Sequence, residues 1–198
     1  MEQARRVLAV SPWTRGPFTD SNGLIAGFAI LRTTSMDDAI EWATRFANVV
    51  GDVEIDIGLV VEPWDLGMFP KPEGLTTTRF MLMHKADKTS ESGAPASPQV
   101  MAGIRRLNED MVKAGVFVTA EGMQPSSKAV RLNYSGGKCV TLDGPFTESK
   151  ELIAGFCMLR ANSREKALKW VPRFVAVVAG LGDIEIDVRP LHEPSNLA

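Results

Sequence analysis

Apolar residues recur along this chain with two periods, and the switches between them mark its elements. "TRFMLMHKA" (78–86) is a short apolar run that predicts a strand, and "DKTSESGAPAS" after it reads as a loop. Ser97-Pro98 predicts a helix start, with serine as N-cap and proline at the first helical position. Met101, Ile104, Leu107 and Met111 follow at helical spacing, and Gly115 supplies the stop. "VFVTAEG" (116–122) predicts a second strand, and "AVRLNYSGGKCVTL" (129–142) a hairpin about Ser135-Gly136-Gly137. The turn "DGP" leads into "ELIAGFCMLRA" (151–161), which predicts a third core strand. Ser163 then caps a helix with the stripe Ala167, Leu168, Val171, Phe174, Val175 and Val178; Pro172 should kink or shorten it. "DIEIDVRPL" (183–191) alternates strictly and predicts the last strand.

The chain also repeats itself. Residues 15–50 align without gaps on 143–178, with roughly half of the positions identical. After an insertion from Ala179 to Leu181, "GDVEIDIGLVVEP" matches "GDIEIDVRPLHEP". So long a period indicates a duplicated domain, not a solenoid. The segment 78–142 precedes the second copy, but only fourteen residues precede Arg15. The first copy is therefore expected to hold only the later half: strand 24–33, helix 35–50 capped by Ser35, and strand 53–61. "EPWDLGMFPKPEGLTTT" (62–78) is rich in Pro and Gly and reads as a linker. The expected organisation is a partial repeat at 1–65, a linker at 66–77 and a complete domain at 78–198.

The order β-α-β, hairpin, β-α-β predicts an α+β, ferredoxin-like layer: a four-stranded sheet with two helices on one face. The other face must pack on something, and a duplicated domain suggests two sheets face to face. The truncated first copy cannot fill a second sheet alone. Either residues 1–14 contribute a substitute strand or a second chain does; the expectation is a homodimer.

Composition changes this picture little. With 44% hydrophobic and 23% charged residues, the chain is of ordinary globular type. A formal charge of −2 gives no pull toward nucleic acid or anionic membrane, so neither is an expected partner. No apolar run is long enough to predict a transmembrane helix, and "MEQARRVLAVSPW" is too interrupted for a secretory signal. Cys139 and Cys157 do not make a disulfide framework, and a cytoplasmic location is expected.

"DGPFTESKELIAGF", "AEGMQPSSKAVRL", "SGGK", "ALKWV" and "IEIDVRPLHE" together resemble the YCII-related proteins, in the branch called DGPF-domain proteins. The resemblance covers 79–193 and, for the first copy, about 16–63. It implies a dimeric α/β barrel, in which two ferredoxin-like sheets enclose a cavity. It also implies one of two functions. Some relatives are linked to dehydrochlorination with a His–Asp acid–base pair, which suggests a small-molecule enzyme with lyase-type chemistry. Many DGPF-domain proteins are linked to extracytoplasmic-function sigma factors, which suggests a non-catalytic ligand-binding or regulatory module.

The candidate catalytic residues are Asp143, at the strand–turn junction, and His84, at the end of the first strand. Asp143 serves equally well as a turn former, and His84 as a strand-end residue. Glu185 and Asp187 share one strand face opposite Ile184, Ile186 and Val188, and Glu54 and Asp56 repeat the pattern. They are candidates for lining a cavity and touching substrate, or for plain solvation. Lys150 and Glu121 complete the candidate substrate-binding set. No histidine stands at ligand spacing beside the carboxylates, so no metal is expected, nor any other cofactor. "SGGK" lacks the context of a phosphate loop, and no serine nucleophile elbow is present. Trp42 and Trp170, partners in the repeat, read as helix-packing residues.

Overall fold

The Ser35 hydroxyl accepts a hydrogen bond from the Asp38 backbone amide at 3.1 Å and starts helix α1 (Met36–Val50). Asp37 and Asp38 in its first turn face the positive end of the helix dipole. Met36, Ala39, Ile40, Ala43 and Ala47 form its buried stripe. In the second helical segment expected from the sequence, Ser97 caps α3 (Pro98–Lys113) with proline in the first turn, and Leu107 and Met111 are buried. The stretch expected as a loop after residue 86 contains a one-turn helix, α2 (Lys88–Ser92). Asp87 and Ser90 form a reciprocal capping box there, a local signal that the apolar pattern does not carry.

The computed structural model describes residues 5–8, 11–15, 23–146, 153–178 and 182–192. Its larger sheet is built from β1 (Arg5–Leu8), β2 (Ser11–Arg15), β3 (Ile25–Thr33), β4 (Glu54–Leu59), β5 (Thr78–Lys85) and β6 (Phe117–Gly122). The order is β2-β1-β4-β5-β3-β6, with antiparallel neighbours. Within it, β4-β5-β3-β6 carries α1 and α3 on one face and is compatible with a ferredoxin-like fold. One β-α-β half is β5–α3–β6. The other is β3–α1–β4, which comes earlier in the chain and lies across the Pro/Gly-rich segment. Leu31, Ile55, Ile57, Phe80 and Leu82 pack with the stripes of α1 and α3 into one core. Burying each large side chain contributes roughly 1.5–3 kcal/mol.

A smaller antiparallel sheet, in the order β8-β7-β9, comprises β7 (Val130–Ser135), β8 (Lys138–Asp143) and β9 (Ile184–Val188). Val130 and Leu132 pack there on Val171 and Val175. The expected kink near Pro172 is present: the helix divides into α4 (Arg164–Leu168) and α5 (Val171–Val178). The two sheets meet edge to edge. The Met123 and Leu191 backbones bridge, and the His192 amide donates to the Gly122 carbonyl at 2.9 Å.

The third core strand expected at 151–161 is not a strand in its described part. Residues 153–161 have no regular secondary structure, are exposed and lie outside any ladder. The reason is positional. The aligned segment of the first copy, β3, already lies between β5 and β6, where Ala29 faces Leu82 on one side and Ala120 on the other. Six of the nine residues of 25–33 recur at 153–161: Ile, Ala, Gly, Phe, Leu and Arg. Sequence alone therefore assigns both segments to the same state. Leu31 is 0% exposed and its counterpart Leu159 47%. We expect Leu31→Ala to lower stability by about 2–5 kcal/mol and Leu159→Ala to change it by no more than about 0.5 kcal/mol. Urea denaturation of both variants checks the contrast.

Candidate functional site

The larger sheet has a helix-bearing face and an opposite face, and the strand period sorts the candidates between them. Phe80 and Leu82 point to the helices, so His84 does too. Its ring packs against Phe46 of α1, with centroids 5.2 Å apart. A β-carbon added at Gly27 would lie 2.5 Å from the imidazole Cε1, so glycine is needed for this close approach. Burial pushes the His84 pKa down to about 4, against a smaller upward pull from Asp87. At neutral pH the imidazole is therefore uncharged.

Asp143 ends β8 in the smaller sheet and is exposed. Its carboxylate is ion-paired with Arg164 of α4. Among the described contacts, none joins it to His84. The turn that follows is held from below. Gly144 approaches Ser126 so closely that an added β-carbon would lie 1.8 Å from the Ser126 carbonyl oxygen. The Phe146 amide donates to the Ser126 hydroxyl at 3.1 Å. Ser126 is fully buried, and its amide donates to the Glu91 carboxylate at 3.0 Å. Gly144 and Phe146 thus have packing roles that account for a fixed turn without chemistry at Asp143. Lys150 lies outside the described residues. Glu121 is half-buried on β6 opposite Phe28, on the helix-free face.

The paired carboxylates occupy the helix-free face, each pair gripped by an arginine from the neighbouring hairpin. Arg6 Nε lies 2.6 Å from Asp56 and 3.2 Å from Glu54; Arg131 Nε lies 2.7 Å from Asp187 and 3.2 Å from Glu185. The registers match, with Arg6 opposite Asp56 and Arg131 opposite Asp187. Asp56 is buried and has a second cationic partner, Lys85, at 2.9 Å. Burial alone would push the Asp56 carboxyl up. The hydrogen bonds and charges of Arg6 and Lys85 outweigh it and hold the group below the usual carboxylate range. Asp187 is exposed, and among the described residues no strand lies beside β9 where β5 lies beside β4; Arg189 adds a favourable charge at longer range.

A second charged cluster was not legible in the sequence. Glu62 is buried just past β4, where the Arg79 guanidinium grips it at 2.8 and 2.6 Å and Arg32 approaches to 3.9 Å. The available signal was that Arg32 and Glu62 recur as Arg160 and Glu193. Between the clusters, Phe28 and Ile30 of β3 stand opposite Met83 and Met81 of β5. The helix-free face is thus an apolar strip with charged ends. Two open grooves run elsewhere, one along α3 by Met101, Ile104 and Val112, the other between α1 and α3 by Val49 and Gly103. Neither includes Asp143 or His84. Among the described residues, no three His, Cys, Asp or Glu side chains are grouped to hold a metal ion. Nor is any helix there long and apolar enough to cross a membrane.

The half-buried His84, desolvated against Phe46, ties stability to pH. Its folded pKa lies below the unfolded value of 6.5, so the unfolded chain binds the proton first. Stability is full above the unfolded pKa and falls as pH drops from there toward the folded value. We expect His84→Leu to flatten the pH dependence in this window by up to about 1.4 kcal/mol per pH unit. Urea denaturation at several pH values between these limits measures it; an unchanged slope would contradict the burial.

Against known proteins, the YCII-related domain model matches residues 78–188, more than half of the chain. An uncharacterized protein of Rhizobium meliloti (strain 1021) is 27% identical over 109 residues, which are 55% of this chain and 88% of that protein. No solved structure matches. The ordered β-α-β, hairpin, helix and strand between residues 78 and 188 are therefore those of a YCII-related domain, and the chain belongs to that family.

Proposed function

We propose that this protein is a non-catalytic ligand-binding or regulatory module, with the helix-free face of the larger sheet as its binding surface. The observation that carries this reading is the separate engagement of the two acid–base candidates. His84 is neutral and packed beneath α1, and Asp143 is held by Arg164 at the solvent. General acid–base chemistry needs both groups within reach of one substrate. The helix-free face instead offers an apolar strip between charged ends. Phe28 and Ile30 within it are covered, and Phe156 packs on Phe28. The part open to a ligand is therefore the half-buried rim of Met81, Met83 and Glu121, which suits a small molecule with an apolar body and polar termini. In this reading the protein acts in the cytoplasm as a homodimer, with an extracytoplasmic-function sigma factor as the class of regulatory partner.

The dehydrochlorinase-like reading predicts a different outcome in the same experiment. A panel of small aromatic acids and phenols is screened by thermal shift, and each stabilising compound is incubated with the protein and followed by mass spectrometry. We expect a compound that raises the melting temperature and is recovered unchanged. Its effect should persist in Asp143→Asn and weaken at least about tenfold in apparent affinity in Glu121→Gln. Conversion of the compound, abolished by Asp143→Asn, would overturn the proposal in favour of the enzyme.

A further inference from the structure

The second copy of the repeat retains the residues that, in the first copy, contact β5–α3–β6, yet here they face solvent. Leu31 of β3 is 0% exposed in the core shared with α3, and its counterpart Leu159 is 47% exposed. A β-carbon at Gly27 would collide with His84 and the Glu121 carbonyl, whereas one at Gly155 would meet nothing within 4 Å. Val49 packs so tightly on α3 that a β-carbon at Gly103 would lie 2.6 Å from it; the counterpart Val177 is 84% exposed.

The charged positions follow the same rule. Arg45 lies over the Trp42 ring at 4.2 Å and pairs with Asp110 of α3. Arg173 lies over Trp170 at 4.5 Å in the same pose, and among the described contacts no carboxylate pairs with it. Phe46 packs against His84 with tilted rings, whereas its counterpart Phe174 is exposed. Strand edge, helix face and charge are thus all complementary to one kind of object.

We propose that 153–161 and the outer face of α5 form a docking surface for a further β-α-β unit of the 78–122 type, carried on another polypeptide. Its two strands would flank 153–161 as β5 and β6 flank β3. Its helix would bring a carboxylate to Arg173 and a glycine-sized residue beneath Val177. The chain's own 78–122 does not serve, because β3 already fills it. A second copy of this chain brings a unit that is filled in the same way. The contact between Phe28 and Phe156, with centroids 4.9 Å apart, joins equivalent positions of the two copies. The added strands would therefore complete a second sheet against the helix-free face of the first.

The test uses the full chain extended at its N terminus by a flexible linker and an additional copy of residues 78–122. Cys139→Ser leaves Cys157 as the one native thiol, since the chain has 2 cysteines. Because Cys157 aligns with Ala29, and Ala29 faces Ala120, a cysteine replaces the alanine equivalent to Ala120 in the added unit. We expect a disulfide between that cysteine and Cys157 under mild oxidation, and a slowing of amide exchange over 153–161 by about 100-fold or more. Val177→Arg in the extended chain should abolish both effects while leaving exchange in β3 unchanged. Absence of the disulfide with unchanged exchange would overturn the proposal. So would a disulfide between Cys157 and Ala120→Cys in the unextended chain, within one molecule or between two, because 153–161 would then take its partner from the existing unit.

Discussion

A strand inside an antiparallel sheet needs a partner on each edge, and each place between two partners is filled once. The gap between β5 and β6 is that place in this protein. Two segments of nearly the same sequence are equipped to fill it, and β3 does so. Much of the rest follows. With β3 come α1, which roofs the core beside α3, and β4, which carries the β1–β2 hairpin. The second copy keeps its own hairpin and last strand paired as β8-β7-β9, while its 153–161 segment runs outside any ladder. Backbone pairing, more than side-chain pattern, thus separates a buried core from an exposed segment.

The same placement governs the electrostatics. Both copies carry an arginine on the hairpin opposite a carboxylate pair on the last strand. Only the first copy adds Lys85, because only there does β5 lie beside the carboxylate strand. An isolated buried carboxylate would be costly, and two cations around Asp56 offset its desolvation. At Asp187, which is exposed, Arg131 is the direct ion-pair partner and Arg189 adds only a longer-range charge. Equivalent residues therefore have different electrostatic surroundings because a neighbouring strand is present or absent.

Local elements were largely legible in the sequence, because their signals are local. Ser35 and Ser97 mark helix starts, Pro172 marks the break before α5, and the alternation about Ile55 and Ile186 marks strands. Pairing of non-local segments was not legible. Nothing within "LIAGF" distinguishes the copy that finds partners from the copy that does not. The candidate site was legible in part for the same reason. Alternation correctly separated Glu54 and Asp56 from the isoleucines of the core, but the partners Arg6 and Lys85 come from strands whose adjacency depends on topology. Glu62 was missed because it lies in a turn segment, and its burial is set by Arg79 from the next strand. Gly144 and Phe146 owe their roles to Ser126, some twenty residues away.

Two nearly identical segments thus occupy different states in this protein. Hydrogen exchange over 25–33 and 153–161, read by mass spectrometry on the full chain, tests it most directly. The amides of β3 are expected to exchange only on global unfolding, whereas those of 153–161 are expected to exchange within about tenfold of the unstructured rate. Equal, strong protection of both segments, or protection of 153–161 with exposure of 25–33, would contradict it.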